Sequence, residues 1–294
     1  MLFRSASSLS ARKLAREDFR YQANIAVEDS RDRIWVVVGL GLAALTVAFV
    51  AFLLSANHGS VRSVMFNVSI IWESRTAIVR GFWINVRMFL VAEAIVLVWA
   101  LVVAVVRLLP GRAAAPVRIL AIVYIDVFRG VPAIITIYLI GFGFALAGVW
   151  PFSHLTGTTQ LFWLGVFALV LVYGAYVAEV YRAGLESVHW SQAAAARGLG
   201  LTQWQAMRHV VVPQAIRRIL PPLLNDFVAL QKDTALVSIL GVVEALGAAQ
   251  LLKNQKFNLS PVTGAAICFL VVTIPFTRLV DYLIKRDRER TMAQ

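Results

Sequence analysis

The sequence predicts an all-α integral membrane protein with about six transmembrane helices. Hydrophobic residues make up 60% of its 294 residues, whereas soluble domains have about 45–50%. Six apolar segments have roughly membrane-spanning length, at residues 34–55, 81–106, 117–146, 160–178, 221–243 and 262–284. The single cysteine, Cys268, allows no disulfide within the chain, and the four histidines lack the spacing of a metal site.

Residues 1–33 are predicted to form a polar cytoplasmic tail. The first sixteen residues are basic and rich in serine, which is also typical of a transit peptide. Acidic residues soon follow, beginning at Glu17 and Asp18, and favour the tail. No apolar segment precedes residue 34, so we expect no cleaved signal peptide.

The first predicted span, 34–55, is followed by a predicted extracytoplasmic loop at 56–80. The third segment, 117–146, is too long for one straight span, because thirty residues make a helix of about 45 Å against a bilayer core of about 30 Å. Either its start lies along the membrane surface, or it bends at Gly130-Val131-Pro132, where Pro132 cannot donate a helical hydrogen bond.

Lys and Arg predict the orientation. With both termini in the cytoplasm, nineteen of these residues fall in inside segments and five in outside segments. The five are Arg62, Arg75, Arg80, Lys253 and Lys256. The positive-inside rule therefore favours this orientation. The net charge of +12 is explained by basic residues in cytoplasmic segments, which fix the topology, and not by nucleic-acid binding. Residues 286–294 then form a cytoplasmic carboxyl-terminal tail.

The stretch from Glu179 to Glu244 is the least membrane-like long segment between the apolar runs. Ser191 is predicted to cap a short helix that runs from Gln192 through four alanines to Arg197. Gly198 and Gly200 suit a left-handed helix end, and Thr202 with Gln205 forms a capping-box pattern that starts the next helix. Spacing alone leaves two interpretations open: a helix-turn-helix that docks a partner, or an ordinary alanine-rich loop.

Residues 175–240 resemble the permease subunits of bacterial ABC importers, specifically the polar amino-acid uptake family of histidine-, glutamine- and arginine-type permeases. The family motif joins Glu-Ala-Ala, a Gly six residues after the Glu, and a hydrophobic-x-hydrophobic-Pro end. The matching residues are Gln192, Ala195, Ala196, Gly200, Val210, Val212 and Pro213. Ala194 stands where the family has Glu, and this removes the one acidic group of the motif.

Two further runs are similar to the same family. YIDVFRGVP, at residues 124–132, matches a family run with Asp126 in place of Glu and Val131 in place of Thr. PQAIRRILPPLLNDFVALQKDTALVSI, at residues 213–239, matches a second. The resemblance covers residues 80–285 and implies a transmembrane domain at 81–285 with a five-span core, to which the span 34–55 and the loop 56–80 are additions.

The resemblance also implies function. Residues 186–213 would form the coupling element that contacts a separate ATP-binding cassette ATPase subunit. Its site residues would be Gln192, Ala194, Ala195, Ala196, Arg197 and Gly200. A second permease, identical or homologous, and an extracytoplasmic solute-binding protein complete the expected assembly. The chain has no G-x-x-x-x-G-K-[ST] phosphate loop, so ATP and Mg belong on the partner and no cofactor is expected here.

Polar residues are predicted near the middle of the bilayer. If Pro221 and Pro222 form the first turn of a helix at the inner surface, residues 231–234 lie about 15–20 Å along it. Ionisable groups at that depth usually face a protein interior or a water-filled path. The predicted pathway or gate residues are Arg129, Asn225, Gln231, Lys232, Asp233 and Thr234. A structural role remains open, as a Lys232–Asp233 contact or pairing with Arg129 or Glu93.

Two ion pairs with structural roles are predicted from helical spacing, Asp126 with Arg129 and Glu179 with Arg182. The leading hypothesis is a transport subunit, not an enzyme, that carries a polar amino acid across a bacterial cytoplasmic (inner) membrane. Alternatives are an ABC permease for another small solute and a secondary transporter driven by an ion gradient through Lys232 and Asp233. A membrane enzyme lacks support, because we find no nucleophile-base or metal constellation.

Overall fold

The structure is a computed structural model that describes residues 36–49, 51–52 and 60–292. The chain divides into two units, residues 1–63 and 64–294, and each is described by itself. In the first unit, helix α1 spans Val36–Phe49, is apolar and exposed, and is too short to cross a bilayer alone. The predicted tail 1–33, both ends of the predicted span 34–55 and residues 53–59 lie outside the described residues.

The described part of the second unit is built of helices. Helix α2, Ser60–Met65, leads into it. The helices that follow are α3 Val68–Leu108, α4 Ala115–Gly130, α5 Ala133–Leu146, α6 Gly157–Glu186, α7 Trp190–Gly198, α8 Gln203–Ala206, α9 Val212–Asp233, α10 Ala245–Lys256 and α11 Ser260–Met292. Short 3₁₀ segments at Phe152–His154 and Thr234–Leu240 and a π-helical segment at Met207–Val211 join them.

The predicted loop at 56–80 is wrong for the residues described. Helix α3 begins at Val68, capped by the side chain of Asn67, and runs for 41 residues. The charges that suggested a loop, at Glu73, Arg75 and Arg80, are exposed on one part of this helix, whereas Ser74 and Ile78 are buried. The first turns of α3 are therefore amphipathic, and polar residues on one face do not end a helix.

The bend predicted at Gly130-Val131-Pro132 is confirmed. Helix α4 ends at Gly130, Val131 takes an extended conformation, and α5 begins after Pro132. The axes of α4 and α5 differ by 107°. The missing N–H of Pro132 and the steric restriction that proline places on Val131 explain why the helix stops here.

Helix α6 is the centre of the hydrophobic core, packed against α3, α4, α5 and α9. Close approach requires small residues. A Cβ on Gly174 would lie 2.6 Å from the Trp99 ring and 2.8 Å from the Tyr124 hydroxyl. Trp99 donates to that hydroxyl at 2.9 Å, and the hydroxyl donates to the Leu171 carbonyl at 2.7 Å, so these polar groups are satisfied inside the bundle.

Helix α9 differs from the prediction at both ends. It begins at Val212 rather than residue 221, so Pro221 and Pro222 lie inside it instead of in its first turn. The carbonyls that they leave without a donor belong to Arg217 and Arg218, which are exposed and hence solvated. The α-helix ends at Asp233, so Gln231–Thr234 lie where α9 passes into the 3₁₀ segment Thr234–Leu240.

The predicted span 221–243 covers the end of α9 and the 3₁₀ segment Thr234–Leu240, and it stops at an irregular turn that precedes α10. After the 3₁₀ segment, Gly241 takes a left-handed conformation with φ of 90°. Glu244 then caps α10 by accepting from the backbone N–H groups of Leu246 and Gly247, both at 2.9 Å. The axis changes by 47° at this break. Such breaks within membrane depth occur where protein buries them or where they line a cavity.

Among the described residues, three helices are long and apolar enough to cross a membrane, or five spans if each bent pair counts as one. The predicted all-α membrane fold is confirmed. The count of about six is not, because the first predicted span, 34–55, corresponds to α1 and to residues outside the described ranges.

Candidate functional site

The short alanine-rich helix α7 is capped differently from the prediction. His189, not Ser191, is the N-cap, and its ring nitrogen Nδ1 accepts from the Ser191 backbone N–H at 3.3 Å. The helix therefore starts two residues earlier than predicted, at Trp190 instead of Gln192. An imidazole nitrogen can accept like the oxygen of a usual capping residue, but serine is the commoner cap, so local sequence alone favours Ser191.

The turn after α7 contains the predicted glycine end. Gly200 has φ of 90°, its N–H bonds the Arg197 carbonyl, and the next N–H, of Leu201, bonds the Ala196 carbonyl at 3.2 Å. This is the Schellman pattern of a helix end. Gly198 is the last helical residue and is not left-handed, so that half of the prediction is wrong. The capping box of Thr202 and Gln205 is confirmed.

The predicted coupling residues lie together on this turn. Ala194, Ala195 and Arg197 are exposed, and Ala196 is buried. The amide of Gln192 is held at 3.4 Å by Gln214 of α9. An open cavity of about 630 Å³ lies against α7 and the turn that follows it. Its lining residues are Ala194, Arg197, Gly198, Gly200, Leu201, Thr202 and Gln203.

Three large apolar side chains beside the turn are exposed and were not among the predicted coupling residues. Trp190 is 74% exposed, Leu199 87% and Trp204 70%. Exposed apolar side chains grouped in this way mark an interaction surface. The signal was present in the sequence, because Trp190 and Trp204 are tryptophans in the least membrane-like long segment between the apolar runs.

A small apolar cluster fixes the turn to the membrane helices. Val188, Val211, Ala215 and Ile219 form its buried centre, with Ala193 of α7 packed against it. The Arg218 guanidinium also donates to the Ser187 carbonyl. Because a Cβ on Gly184 would lie 2.1 Å from the Ile219 side chain, α6 and α9 touch directly here. Helix α7 thus packs, through Ala193, on the same apolar cluster as the start of α9.

An ion-pair cluster lies near the carboxyl end of α6, centred on Glu179. Arg107 contacts its carboxylate at 2.5 Å, Arg182 at 2.5 Å and Arg129 at 4.0 Å. The predicted pair of Glu179 and Arg182 is confirmed. The predicted pair of Asp126 and Arg129 does not form, because Arg129 is directed toward Glu179 and over the ring of Tyr176, at 5.7 Å.

The end of α9 is held by hydrogen bonds from three other helices. The Tyr173 hydroxyl of α6 donates to Asp233 at 2.8 Å. Thr273 of α11 donates to the Gln231 side chain at 3.0 Å. Asn85 of α3 donates to the Thr234 hydroxyl at 3.0 Å and accepts from the N–H of Ala245 at 3.0 Å. These bonds fix both sides of the break between α9 and α10.

The predicted pathway residues divide into two groups. Gln231, Asp233 and Thr234 have partners at the helix end, whereas Asn225 and Lys232 are exposed with no hydrogen bond or ion pair within the described residues. Arg129 lies elsewhere, beside Glu179. No Lys232–Asp233 contact and no Lys232 pair with Glu93 occurs in the described part of the chain.

Sequence reasoning missed Asn85, Tyr173, Glu244 and Thr273. Asn85 and Glu244 are polar residues that are almost completely buried. Asn85 lies within a predicted apolar span, and a lone amide there indicates a hydrogen-bonding role in the interior. Tyr173 and Thr273 gave no such signal, because both residue types are ordinary in membrane helices.

Comparisons with known proteins agree on one family. Residues 110–289 match the model of the binding-protein-dependent transport system inner membrane component. A probable glutamine ABC transporter permease protein of Bacillus subtilis is 32% identical over 221 residues, covering 75% of this chain and 97% of that protein. A glutamate/aspartate import permease protein of Escherichia coli is 30% identical, covering 75% of this chain and 98% of that protein.

Solved structures give the same result. The crystal structure of an amino acid ABC transporter with histidines superposes with a TM-score of 0.67 and 29% identity, covering 76% of this chain and 99% of that one. A methionine ABC transporter in an inward-facing conformation has a TM-score of 0.55 at 19% identity and shares the fold. About a quarter of this chain has no counterpart in these proteins.

Proposed function

We propose that this chain, which belongs to the family of binding-protein-dependent transport system inner membrane components, carries a polar amino acid through the membrane in an ATP-driven importer. Membership makes it a multi-pass membrane permease subunit. The substrate class is supported by relatives named for glutamine and for glutamate and aspartate, each matched over nearly its whole length. The exact amino acid is selected by an extracytoplasmic binding protein in this proposal.

The proposed ATPase contact is the turn after α7. Its site residues are Gln192, Ala194, Ala195, Ala196, Arg197 and Gly200, to which we add Trp190, Leu199 and Trp204. The sequence contains no phosphate loop, so ATP and Mg bind the partner subunit. The partner groove has to accept an alanine face with apolar side chains around it, because Ala194 offers no carboxylate.

The observation that carries the proposal is the continuous connection from this turn to the polar end of α9. The cluster around Val211 and Ile219 ties α7 to α9, and α9 ends at Asp233 against Tyr173. A movement imposed on α7 by ATP binding would therefore change the packing of Asp233 and its neighbours. We propose Arg129, Asn225, Gln231, Lys232, Asp233 and Thr234 as pathway or gate residues.

The assembly in this proposal has two permease subunits, identical or homologous, two ATPase subunits and the binding protein. We place it in a bacterial cytoplasmic membrane with both termini inside. The charge asymmetry of the loops supports this orientation, with nineteen Lys and Arg residues in inside segments against five in outside segments.

Uptake by reconstituted vesicles tests the function. The complex purified with its co-isolated subunits is incorporated into vesicles, the binding protein is added outside, and ATP is trapped inside. Accumulation of radiolabelled glutamine, glutamate or arginine only with hydrolysable ATP is expected. Uptake that ignores ATP and stops when an ionophore collapses the ion gradient would instead indicate a secondary transporter.

A further inference from the structure

We propose that the cavity between Arg129 and Asp226 is a subsite for the zwitterionic head of an α-amino acid. Arg129 binds the α-carboxylate and Asp226 the α-ammonium. The inference rests on the proposed function and deepens it, because it assigns a place on this chain where the substrate is held.

The cavity lies among α4, α6 and α9 and has a volume of about 290 Å³. That volume is at the lower end of the range for small-molecule sites, about 300–1,000 Å³, and greatly exceeds the space of one water, about 30 Å³. Arg129 is the penultimate residue of α4, directly before the break that precedes α5. Small residues, Ala183 and Gly184, line the α6 wall and leave it open.

Four charged residues line the cavity, and two are already engaged. The Glu179 carboxylate is held by Arg107 and Arg182, which do not line the cavity. Arg218 donates to the Ser187 carbonyl. Asp226 has no hydrogen bond or ion pair with any described residue. The ion pair with Glu179, at 4.0 Å, is the only one that Arg129 makes among the described residues. One guanidinium and one carboxylate are therefore available.

Arg129 and Asp226 face one cavity without forming an ion pair within 4.0 Å of each other. A half-buried carboxylate without a hydrogen bond is costly, and Arg129 compensates for Asp226 only from beyond 4.0 Å.

Arg129 is placed to bind the α-carboxylate, while Asp226 binds the α-ammonium. Its guanidinium lies 5.7 Å from the centre of the Tyr176 ring, and stacking on an aromatic face limits its rotation. A guanidinium binds a carboxylate through two parallel hydrogen bonds. Every α-amino acid carries the two groups that this pair recognises, so the subsite accepts the class while leaving side-chain selection to other parts of the importer.

Binding of matched ligands to matched variants tests the assignment. The purified complex without binding protein or nucleotide is titrated with L-glutamine and L-arginine, with their α-amides and with their Nα-acetyl derivatives, by saturation-transfer NMR at millimolar concentration. We expect Arg129→Gln to weaken binding of the free amino acids about tenfold and to leave binding of the α-amides unchanged. Asp226→Asn should weaken the free amino acids similarly and leave the Nα-acetyl derivatives unchanged.

Two controls are available in the chain. Arg87→Gln removes a guanidinium that lies over Trp83 at the same 5.7 Å distance but does not line the cavity. Asp126→Asn removes an exposed carboxylate from α4. Neither should change binding. A loss that is equal for amino acids and their blocked derivatives would show a structural role and overturn the subsite.

Transport separates failure of the subsite from failure of the function. If the parent complex transports amino acids with ATP but binds no probe without the binding protein, or if both variants bind all probes like the parent, the subsite is wrong and the function stands. If the parent complex transports no α-amino acid, the proposed function is wrong and the subsite with it.

Discussion

Asn85→Ala tests whether one buried amide holds the break between α9 and α10. Asn85 is 1% exposed and bonds Thr234 on one side of the break and the N–H of Ala245 on the other. A buried N–H left without an acceptor costs about 1–3 kcal/mol, and the lost bond to Thr234 costs about 1 kcal/mol. Water cannot easily replace the amide, because a Cβ on nearby Gly81 would lie 2.6 Å from the Glu244 backbone.

We therefore expect Asn85→Ala to destabilise the folded protein by about 3 kcal/mol, which lowers the melting temperature by roughly 6–12 °C for a domain of this size. Tryptophan fluorescence during heating of the protein in lipid nanodiscs measures the change. Asn225→Ala is the control, since Asn225 is exposed and has no hydrogen bond within the described residues. Its effect should stay within about 0.5 kcal/mol.

A double-mutant cycle sharpens the result. Thr234→Val removes the hydroxyl that Asn85 contacts, so the double variant should be less destabilised than the sum of the single variants by about 1 kcal/mol. Equal melting temperatures for Asn85→Ala and Asn225→Ala, or strictly additive effects in the cycle, would refute the reasoning.

Three further predictions concern coupling, the gate and topology. Gly200→Ala should lower transport per ATP about fivefold or more, because a non-glycine residue at φ of 90° costs about 1–2 kcal/mol. Gly198→Ala should leave transport per ATP unchanged, because its added Cβ is equally unobstructed and its φ lies outside the left-handed region. Equal coupling in both variants would contradict the assignment of this turn as the ATPase contact. Asp233→Asn and Tyr173→Phe should each reduce transport about tenfold with assembly intact, and the double variant should be no worse than either. Tyr176→Phe is the control for Tyr173→Phe. Additive losses in the double variant would mean that the hydrogen bond between Tyr173 and Asp233 is not the relevant contact. In a Cys268→Ala background, an impermeant thiol reagent on intact cells should label Phe257→Cys and not Gln203→Cys, and the reverse pattern would invert the proposed orientation.

Helix positions were predictable where hydrophobicity and backbone chemistry agree. Pro132 stopped α4 as its missing N–H requires, and Thr202 with Gln205 started α8 through a local motif. The helix start at Val68 was not predictable from hydropathy, because the charges of its first turns lie on an exposed face.

The end of α9 was not predictable because tertiary contacts determine it. Nothing between Asp233 and Gly241 breaks a helix by propensity, yet Asn85 of α3 draws Thr234 and Ala245 into a turn. The same reason explains the partner of Asp233. The sequence predicted that this carboxylate needs a partner, and only the packing of α6 identifies Tyr173.

The exposed apolar side chains around the turn after α7, Trp190, Leu199 and Trp204, have a thermodynamic consequence. With Ala194 in place of an acid, the proposed ATPase contact through Trp190, Leu199 and Trp204 would rely on burial of apolar surface and gain little from charge attraction. Such an association tolerates high ionic strength, since salt screens charges and leaves hydrophobic contacts intact. It weakens on cooling, because the hydrophobic driving force near room temperature is entropic. An importer joined in this way should keep its ATPase subunits in concentrated salt and release them in the cold.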